Sequence, residues 1–328
     1  MDQTRRRGLA AALGVGAGSM LPAWAQDQTD WPTRPVKVVV AFTAGGTTDI
    51  LARSVSQQLS ERWKQSFIID NRTGGGGNIG TEFAARSAPD GYTFIVNSVG
   101  PMAVNLSLYK KLAINPLTDL VPVVQIADVP NMLVVNPGVP AKTVAELVAY
   151  GKAHPAELNY CSTGVGTSSH LAGFMLGQRG GFVATHVPYK GADALNDLLA
   201  GRIQFMFATI PSAIQHIRAG ALRALAVSSV KRSRSMPDVP TVAESGFPGF
   251  EAGSWFGFFA PKGTPAPIMA KLNGAVNDVL RVPAIGDQMI REGADPVGGT
   301  AEQFGKFVHS EYEKWKIVVR DSGATVDG

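Results

Sequence analysis

The chain of 328 residues is long for one compact domain and suits two α/β units. Hydrophobic residues make up 45% of it and charged residues 17%, which excludes a disordered chain. A formal net charge of +4, without a stripe of basic and aromatic residues, argues against a nucleic-acid partner.

Cysteine and histidine usage argues against a metal site. Cys161 is the one cysteine of the sequence, so it excludes an internal disulfide and a cysteine-based metal cage. The five histidines lack the His-x-x-x-His spacing of zinc enzymes. We therefore expect neither a metal nor a cofactor.

Residues 1–25 predict an export signal that is not part of the fold. Residues 5–7 are three arginines, residues 8–21 are uncharged and rich in Ala and Gly, and residues 23–25 fit a small-x-small cleavage site. The apolar run is too short to span a membrane, which is typical of a secretory signal peptide. The arginines leave both the Sec and the twin-arginine routes open. The mature protein is expected in the periplasm.

From residue 31 onward, strand and helix patterns alternate. The apolar run 36–42 predicts a strand that is buried on both faces, and apolar residues at helical spacing follow at 49–63. A short strand at 67–69, a helix at 82–87 and a strand at 92–96 complete a βαβαβ order. This order predicts a parallel sheet with right-handed crossovers.

The α/β pattern then repeats in a second unit, and the last elements of the chain are expected to belong to the first unit again. Strands are predicted at 132–135, 158–161, 186–189, 203–207 and 222–227, with helices at 143–154, 169–177, 192–199 and 211–219. An apolar strand at 255–259 and two more helices are expected to rejoin the first unit. The prediction is two α/β lobes joined by two crossings, with residues 26–127 and 252–328 in lobe 1 and residues 128–251 in lobe 2.

Two Gly/Thr/Ser loops, each between a strand and a helix, are the candidate binding residues. At such turns, free N–H groups and the positive end of the helix dipole favour an anion. Two of them facing each other across a cleft would form a clamp of neutral donors for a carboxylate. The first loop comprises Ala44, Gly45, Gly46, Thr47, Thr48 and Asp49, and the second comprises Ser162, Thr163, Gly164, Gly166, Thr167, Ser168 and Ser169.

Two enzyme motifs are weak or absent. Residues 75–80 fit Gly-x-Gly-x-x-Gly, but the acidic residue expected about 20 positions on is missing, because that strand runs into Asn97-Ser98. No Gly-x-Ser-x-Gly nucleophile elbow occurs. Dinucleotide binding is therefore disfavoured, and an exported α/β hydrolase is a minor alternative.

Several segments in this order resemble the receptors of tripartite tricarboxylate transporters, also called the Bug family. The matching segments are 42–53, 70–80, 89–93, 159–164, 186–191, 237–241 and 260–265. The resemblance implies a periplasmic-binding-protein (Venus flytrap) fold that grips a small carboxylate with loops 43–49 and 162–169 and closes around it. It also implies transient contact with membrane permease subunits, and we expect the receptor to be a monomer. Four further residues complete the set of expected ligand-binding residues: Thr43, Ser98, Tyr189 and Ala208.

Departures from the family pattern bear on the ligand. Phe174 stands where Glu is expected, and Ala208 stands where Asp is frequent. Fewer acidic side chains disfavour an amino-acid ligand, whose ammonium needs a carboxylate, and favour a plain or aromatic carboxylate; dicarboxylates also stay open. A second alternative is a ligand sensor for a signalling partner.

Overall fold

The computed structural model describes residues 30–155, 157–322 and 326, so the predicted signal peptide lies outside the described residues. The strands, in chain order, are β1 (Val36–Val40), β2 (Phe67–Asn71), β3 (Thr93–Ser98), β4 (Leu120–Val129), β5 (Asn131–Val135), β6 (Asn159–Ser162), β7 (Thr185–Pro188), β8 (Phe205–Thr209), β9 (Arg223–Val227), β10 (Ser254–Pro261) and β11 (Asp295–Gly298). The α-helices are α1 (Thr47–Trp63), α2 (Asn78–Ala85), α3 (Asn105–Leu108), α4 (Pro116–Asp119), α5 (Val144–Ala153), α6 (Ser168–Gly180), α7 (Asp193–Leu199), α8 (Ile210–Arg218), α9 (Ala266–Arg281), α10 (Pro283–Arg291) and α11 (Ala301–Ser322).

The first sheet has six strands in the order β11-β4-β10-β3-β1-β2. β1 pairs in parallel with β2 and β3, as the βαβαβ order predicts. β10 lies antiparallel between β3 and β4, so the strand predicted at 255–259 does rejoin the first unit. The sheet is therefore mixed and not purely parallel, because β10 arrives from the second unit and runs in the opposite direction.

The second sheet has five strands in the order β7-β6-β8-β5-β9. β6 pairs in parallel with β7 and β8, whereas β5 is antiparallel to β8 and β9. Helices such as α6 and α8 connect these strands, which gives two α/β layers of similar construction. The two-lobed α/β fold class is confirmed.

Two chain segments connect the sheets and are hydrogen-bonded to each other. One is the short link between β4 and β5, and the other spans residues 228–253. At the start of β5, directly after the short link, Asn131 donates through Nδ2 to the Ala252 carbonyl at 2.7 Å and through its backbone N–H to the Ser228 hydroxyl at 3.0 Å. Sheet membership changes at these two segments; the lobe boundaries at 127/128 and 251/252 themselves stay a prediction.

Each sheet contributes fully buried apolar side chains to the interior. Phe94 on β3 and Phe258 on β10 are fully buried in the first sheet, and Phe205 and Phe207 on β8 are fully buried in the second. α11 covers the first sheet with Phe304, whose ring lies 5.0 Å from that of Phe259. Among the described helices, none combines the length and the apolar character needed to cross a membrane.

Candidate functional site

A small cleft lies between the two sheets, and both sheets line it. Its volume is about 50 Å³, room for only a few water molecules. None of the lining side chains is charged at neutral pH. They are Phe42, Gly46, Thr47, Thr48, Ser98, Val99, Thr163, Thr167, Ser168, Ser169, Gly191, Ala192, Met206, Thr209, Ser254 and Phe256.

The N-terminus of α1 forms one side of the cleft. β1 leads into a loop that turns at Gly45, where φ is +83°, and Gly46 is the N-cap of α1. The N-cap Gly46 makes no side-chain capping hydrogen bond, so the N–H groups at the start of α1 are left without a cap. A 17-residue helix with an uncapped N-terminus presents a positive potential to the cleft.

Asp49 stabilises this loop and is not available to a ligand. Its Oδ2 accepts hydrogen bonds from Gly45 N at 3.0 Å and from Arg53 Nε at 2.8 Å, and its Oδ1 accepts one from Asn71 Nδ2 at 3.0 Å. Burial opposes ionisation, but the hydrogen bonds from Arg53, Gly45 and Asn71 outweigh it and lower the Asp49 pKa below 3.8. The carboxylate thus stays charged and is fully paired within the loop.

The N-terminus of α6 forms the opposite side. Thr167 is its N-cap, accepting from His170 N and donating its hydroxyl to the Gly164 carbonyl at 2.7 Å. Ser169 is only 3% exposed, and its Oγ has no hydrogen-bond partner within the described chain. Because burying a hydroxyl without a partner is unfavourable, Ser169 indicates that a further polar group belongs in the cleft.

The two helix N-termini meet at one cleft. Each is equivalent to about half a positive charge, so together they favour a group of about one negative charge. The nearby hydroxyls of Thr48, Thr163 and Ser169 add neutral donors of the kind that bind a carboxylate. In the described residues, no group of three His, Cys, Asp or Glu side chains is placed to bind a metal. The arrangement is suited to an anion held by hydrogen bonds.

A histidine pair lies next to the second loop. Ser162 Oγ is 2.7 Å from His186 Nε2, and Gly166 N donates to His170 Nδ1 at 3.2 Å. Burial lowers the pKa of His170 to about 4; burial and the neighbouring His170 lower that of His186 to about 3. Both rings are therefore neutral at pH 7.

This serine–histidine contact was not expected from the sequence, and it does not form a reactive nucleophile. Ser162 is fully buried, its hydroxyl donates to the Gly164 carbonyl at 3.0 Å, and it does not line the cleft. The contact fixes the loop between β6 and α6.

The cleft brings together eight of the residues predicted from the sequence. These are Gly46, Thr47, Thr48, Ser98, Thr163, Thr167, Ser168 and Ser169. The others lie outside its lining: Thr43, Ala44, Gly45, Asp49, Ser162, Gly164, Gly166, Tyr189 and Ala208.

Each of these outer residues has another place in the structure. Ala44 and Gly45 are exposed at the surface. Tyr189 donates its hydroxyl to Asp197. Ala208 is fully buried in an apolar cluster of the second sheet, while the next residue, Thr209, lines the cleft. Thr209 is the last residue of β8 and directly precedes α8, so it reaches the cleft at the end of the strand, whereas Ala208 is covered within the sheet.

Sequence reasoning missed the other half of the lining. The missed residues are Phe42, Val99, Gly191, Ala192, Met206, Thr209, Ser254 and Phe256. Thr209 carried a usable signal, because it ends β8 just before α8, in the same type of strand-to-helix position as the two predicted loops. Ser254 and Phe256 carried none, because their role depends on the position of β10 in the sheet.

Comparison with known proteins identifies the family. Residues 51–324 match the tripartite tricarboxylate transporter family receptor. The chain belongs to this receptor family. The resemblance found in the sequence is therefore confirmed.

Individual relatives of this receptor cover almost its whole length. The protein BugT of Bordetella pertussis is 38% identical over 326 residues, which cover 99% of each chain. An R. palustris protein solved with adipate is 40% identical, with a TM-score of 0.88 over 90% of this chain and 100% of that one. MatC from Rhodopseudomonas palustris, solved with bound malate, is 34% identical, with a TM-score of 0.84 over 88% of this chain and 100% of that one.

Proposed function

We propose that this receptor captures a small carboxylate in the cleft between its two sheets and delivers it to the membrane subunits of a tripartite tricarboxylate-type transporter. The observation that carries the proposal is the buried, unpartnered hydroxyl of Ser169 between the N-termini of α1 and α6. A carboxylate oxygen placed there would accept from that hydroxyl and from the N–H groups at the start of the helices.

The relatives support a carboxylate ligand. The R. palustris structures hold adipate and malate, both of which are carboxylates. In this chain the lining offers hydroxyls and backbone donors on one side and apolar surface from Phe42, Met206 and Phe256 on the other. A ligand with a carboxylate end and a compact carbon skeleton would place its carboxylate against the polar side and its carbon atoms against the apolar side.

An amino-acid ligand is less favoured, because its ammonium group needs an acceptor of negative charge. Asp49, which directly follows the lining residues Thr47 and Thr48, is already paired with Arg53, Gly45 and Asn71. Burying an ammonium group without a carboxylate is unfavourable. Plain and aromatic acids and dicarboxylates are therefore the preferred candidates.

The receptor role also implies export and a partner. Residues 1–25 carry the features of a secretory signal, which fits a monomeric periplasmic protein that contacts a permease only transiently. The function is binding and not catalysis, since the fully buried Ser162, which contacts His186, is not part of the cleft lining. Recovery of the bound ligand unchanged after prolonged incubation, followed by NMR, is the expected result.

A thermal-shift screen of residues 26–328 tests the proposal. The protein is refolded free of ligand and then mixed with adipate, malate, benzoate, hexanoate, citrate, aspartate and glutamate. A ligand at 100 times its Kd adds about 2.7 kcal/mol, which raises the midpoint by several degrees. A shift with one of the carboxylates and none with aspartate or glutamate supports the proposal. No shift with any acid of the panel contradicts it.

A further inference from the structure

Thr43 connects the two sheets across the cleft without lining it. It follows β1 of the first sheet, and its Oγ1 accepts a hydrogen bond of 2.8 Å from Ala192 N, just before α7 beside the second sheet. The two residues are 149 positions apart in sequence. Thr43 itself is absent from the lining.

This contact requires a close approach of two backbones. Gly191 has a φ of +122°, and a Cβ atom at that position would lie 2.4 Å from Thr43 Oγ1 and 3.0 Å from Thr43 N. Any larger residue would push the two segments apart. The contact is therefore specific to the arrangement in which the sheets touch across the cleft, here termed the closed arrangement.

A second hydrogen bond crosses the cleft, but both of its residues belong to the cleft lining. Thr47 Oγ1 and Thr209 Oγ1 are 2.7 Å apart, and both residues line the cleft. A bound ligand competes for these two hydroxyls. In the Thr43–Ala192 pair only the donor Ala192 lines the cleft, and the acceptor Thr43 lies outside the lining.

Ligand entry requires the sheets to separate. The cleft of about 50 Å³ is far below the roughly 300 Å³ that small-molecule pockets usually reach, so an adipate-sized molecule enters only when the two sides move apart. Separation breaks the Thr43–Ala192 hydrogen bond and lets water reach both groups. The bond therefore contributes to the closed arrangement alone.

We propose that Thr43 is a positioning residue for closure: its hydrogen bond to Ala192 N stabilises the closed arrangement and so controls how long a ligand stays, without touching the ligand. The proposal rests on the proposed function for the nature of the ligand, although the contact itself is made entirely by the chain. Apparent affinity scales with the fraction of molecules able to close. Loss of the bond consequently raises the dissociation rate.

The test compares Thr43→Val with Thr43→Ser in residues 26–328. Valine has the shape of threonine but no acceptor, so the half-buried Ala192 N–H loses its partner in the closed arrangement. Serine keeps the oxygen. With adipate as the probe, stopped-flow tryptophan fluorescence gives both rate constants. Small-angle X-ray scattering of the ligand-free proteins gives their radius of gyration. Thermal midpoints establish that both variants fold.

The expected result is a dissociation rate about two- to tenfold higher for Thr43→Val, with an association rate within about twofold of wild type. Thr43→Ser should have the rate constants of wild type. Without ligand, Thr43→Val should have the largest radius of gyration of the three proteins. Wild-type dissociation rates in both variants would overturn the proposal, as would an effect confined to association. If adipate does not bind to any of the proteins, the proposed function fails for this probe. Separately, identical scattering curves for ligand-free wild type and Thr43→Val would overturn the role of Thr43 in closure.

Discussion

The imidazole rings of His170 and His186 stack at a centroid distance of 4.0 Å next to the loop that carries the second half of the candidate site. His170 accepts from Gly166 N, and His186 Nε2 contacts Ser162 Oγ, so the pair contacts the loop near both of its ends. Protonation of His170 removes an acceptor, and protonation of both rings places two charges in contact. The geometry therefore ties the shape of the loop to the neutral state of the two rings.

Stability is expected to fall as the pH drops from about 6.5 to about 4. The folded-state pKa values of His170 and His186 are lowered to about 4 and about 3, so the unfolded chain binds more protons in this range. Their contribution is fully present above pH 6.5 and decreases by about 1.4 kcal/mol per pH unit for each histidine below it. Chemical denaturation of residues 26–328 at a series of pH values measures the slope.

His186→Asn is the matched variant for this prediction. Desolvation and the neighbouring Glu311 and Asp295 raise the pKa of Asp128 to about 6, so Asp128 titrates in the same range with the opposite sign. Both proteins contain Asp128, so the difference between their slopes isolates His186. Equal slopes in the two proteins would show that His186 is protonated as easily in the fold as in the unfolded chain.

The loops at the starts of α1 and α6 could be predicted from the sequence. Each joins an apolar strand to a helix through Gly, Ser and Thr, and this pattern is visible in neighbouring residues. The strand β4 was not predicted, since Pro122, Gln125 and Asp128 interrupt its apolar residues and its partner β10 lies more than 120 positions away. Ser254 was missed for the same reason: pairing between distant strands, and not local pattern, places it in the cleft.

Ser169→Ala is expected to weaken ligand binding while leaving the ligand-free protein as stable as wild type or slightly more stable. The hydroxyl is buried without a partner, so its removal breaks no hydrogen bond within the chain. A hydrogen bond to a carboxylate contributes about 1.5–3 kcal/mol, so affinity should fall about ten- to hundredfold. Calorimetric titration with the acid selected by the thermal-shift screen, together with denaturation of the free protein, measures the two effects.

Ser162→Ala is the control for Ser169→Ala. Its hydroxyl contacts Gly164 O and His186 Nε2, so its loss leaves buried groups unpaired and should destabilise the fold by about 1–3 kcal/mol. If Ser169→Ala destabilises the protein as much as Ser162→Ala and leaves affinity unchanged, Ser169 does not face a ligand.

Gly46→Val should abolish binding without harm to the fold. Gly46 lines the cleft with a φ of −78°, which any residue adopts, and a Cβ there meets nothing nearer than the Thr43 carbonyl at 3.6 Å. The added side chain would stand beside the N-terminus of α1, where we place the carboxylate. A thermal midpoint within about 2 °C of wild type, with no detectable heat of binding, is the expected pair of results.

Gly166→Val should reduce stability as well as affinity, because valine is unfavourable in the backbone conformation of Gly166. The φ of +82° disfavours a side chain by about 1–2 kcal/mol, and a Cβ would lie 2.3 Å from Asn105 Oδ1 and 2.8 Å from Leu108. Both stability and affinity are expected to decrease, with a midpoint lower by at least several degrees. A wild-type midpoint for Gly166→Val would show that the loop takes another conformation in solution.

Asp49→Asn tests whether the first loop depends on a paired carboxylate. The Asp49 pKa is lowered, so its charge stabilises the fold above pH 3.8 and this contribution is lost as the pH falls below that value. Asparagine keeps the shape but loses the ion pair with Arg53, which should reduce stability by about 1–3 kcal/mol at pH 7.

Asp70→Asn provides the comparison, because Asp70 also pairs with a cation, Arg72, but on the surface and away from the cleft. Surface ion pairs contribute about 0–1 kcal/mol, so this variant should bind like wild type and lose little stability. Asp49→Asn should instead weaken carboxylate binding along with stability, because the loop it holds presents Gly46 and the start of α1 to the ligand. Equal and small effects of both variants would mean that the loop keeps its conformation without the Asp49 charge, and that the helix N-terminus alone positions the donors.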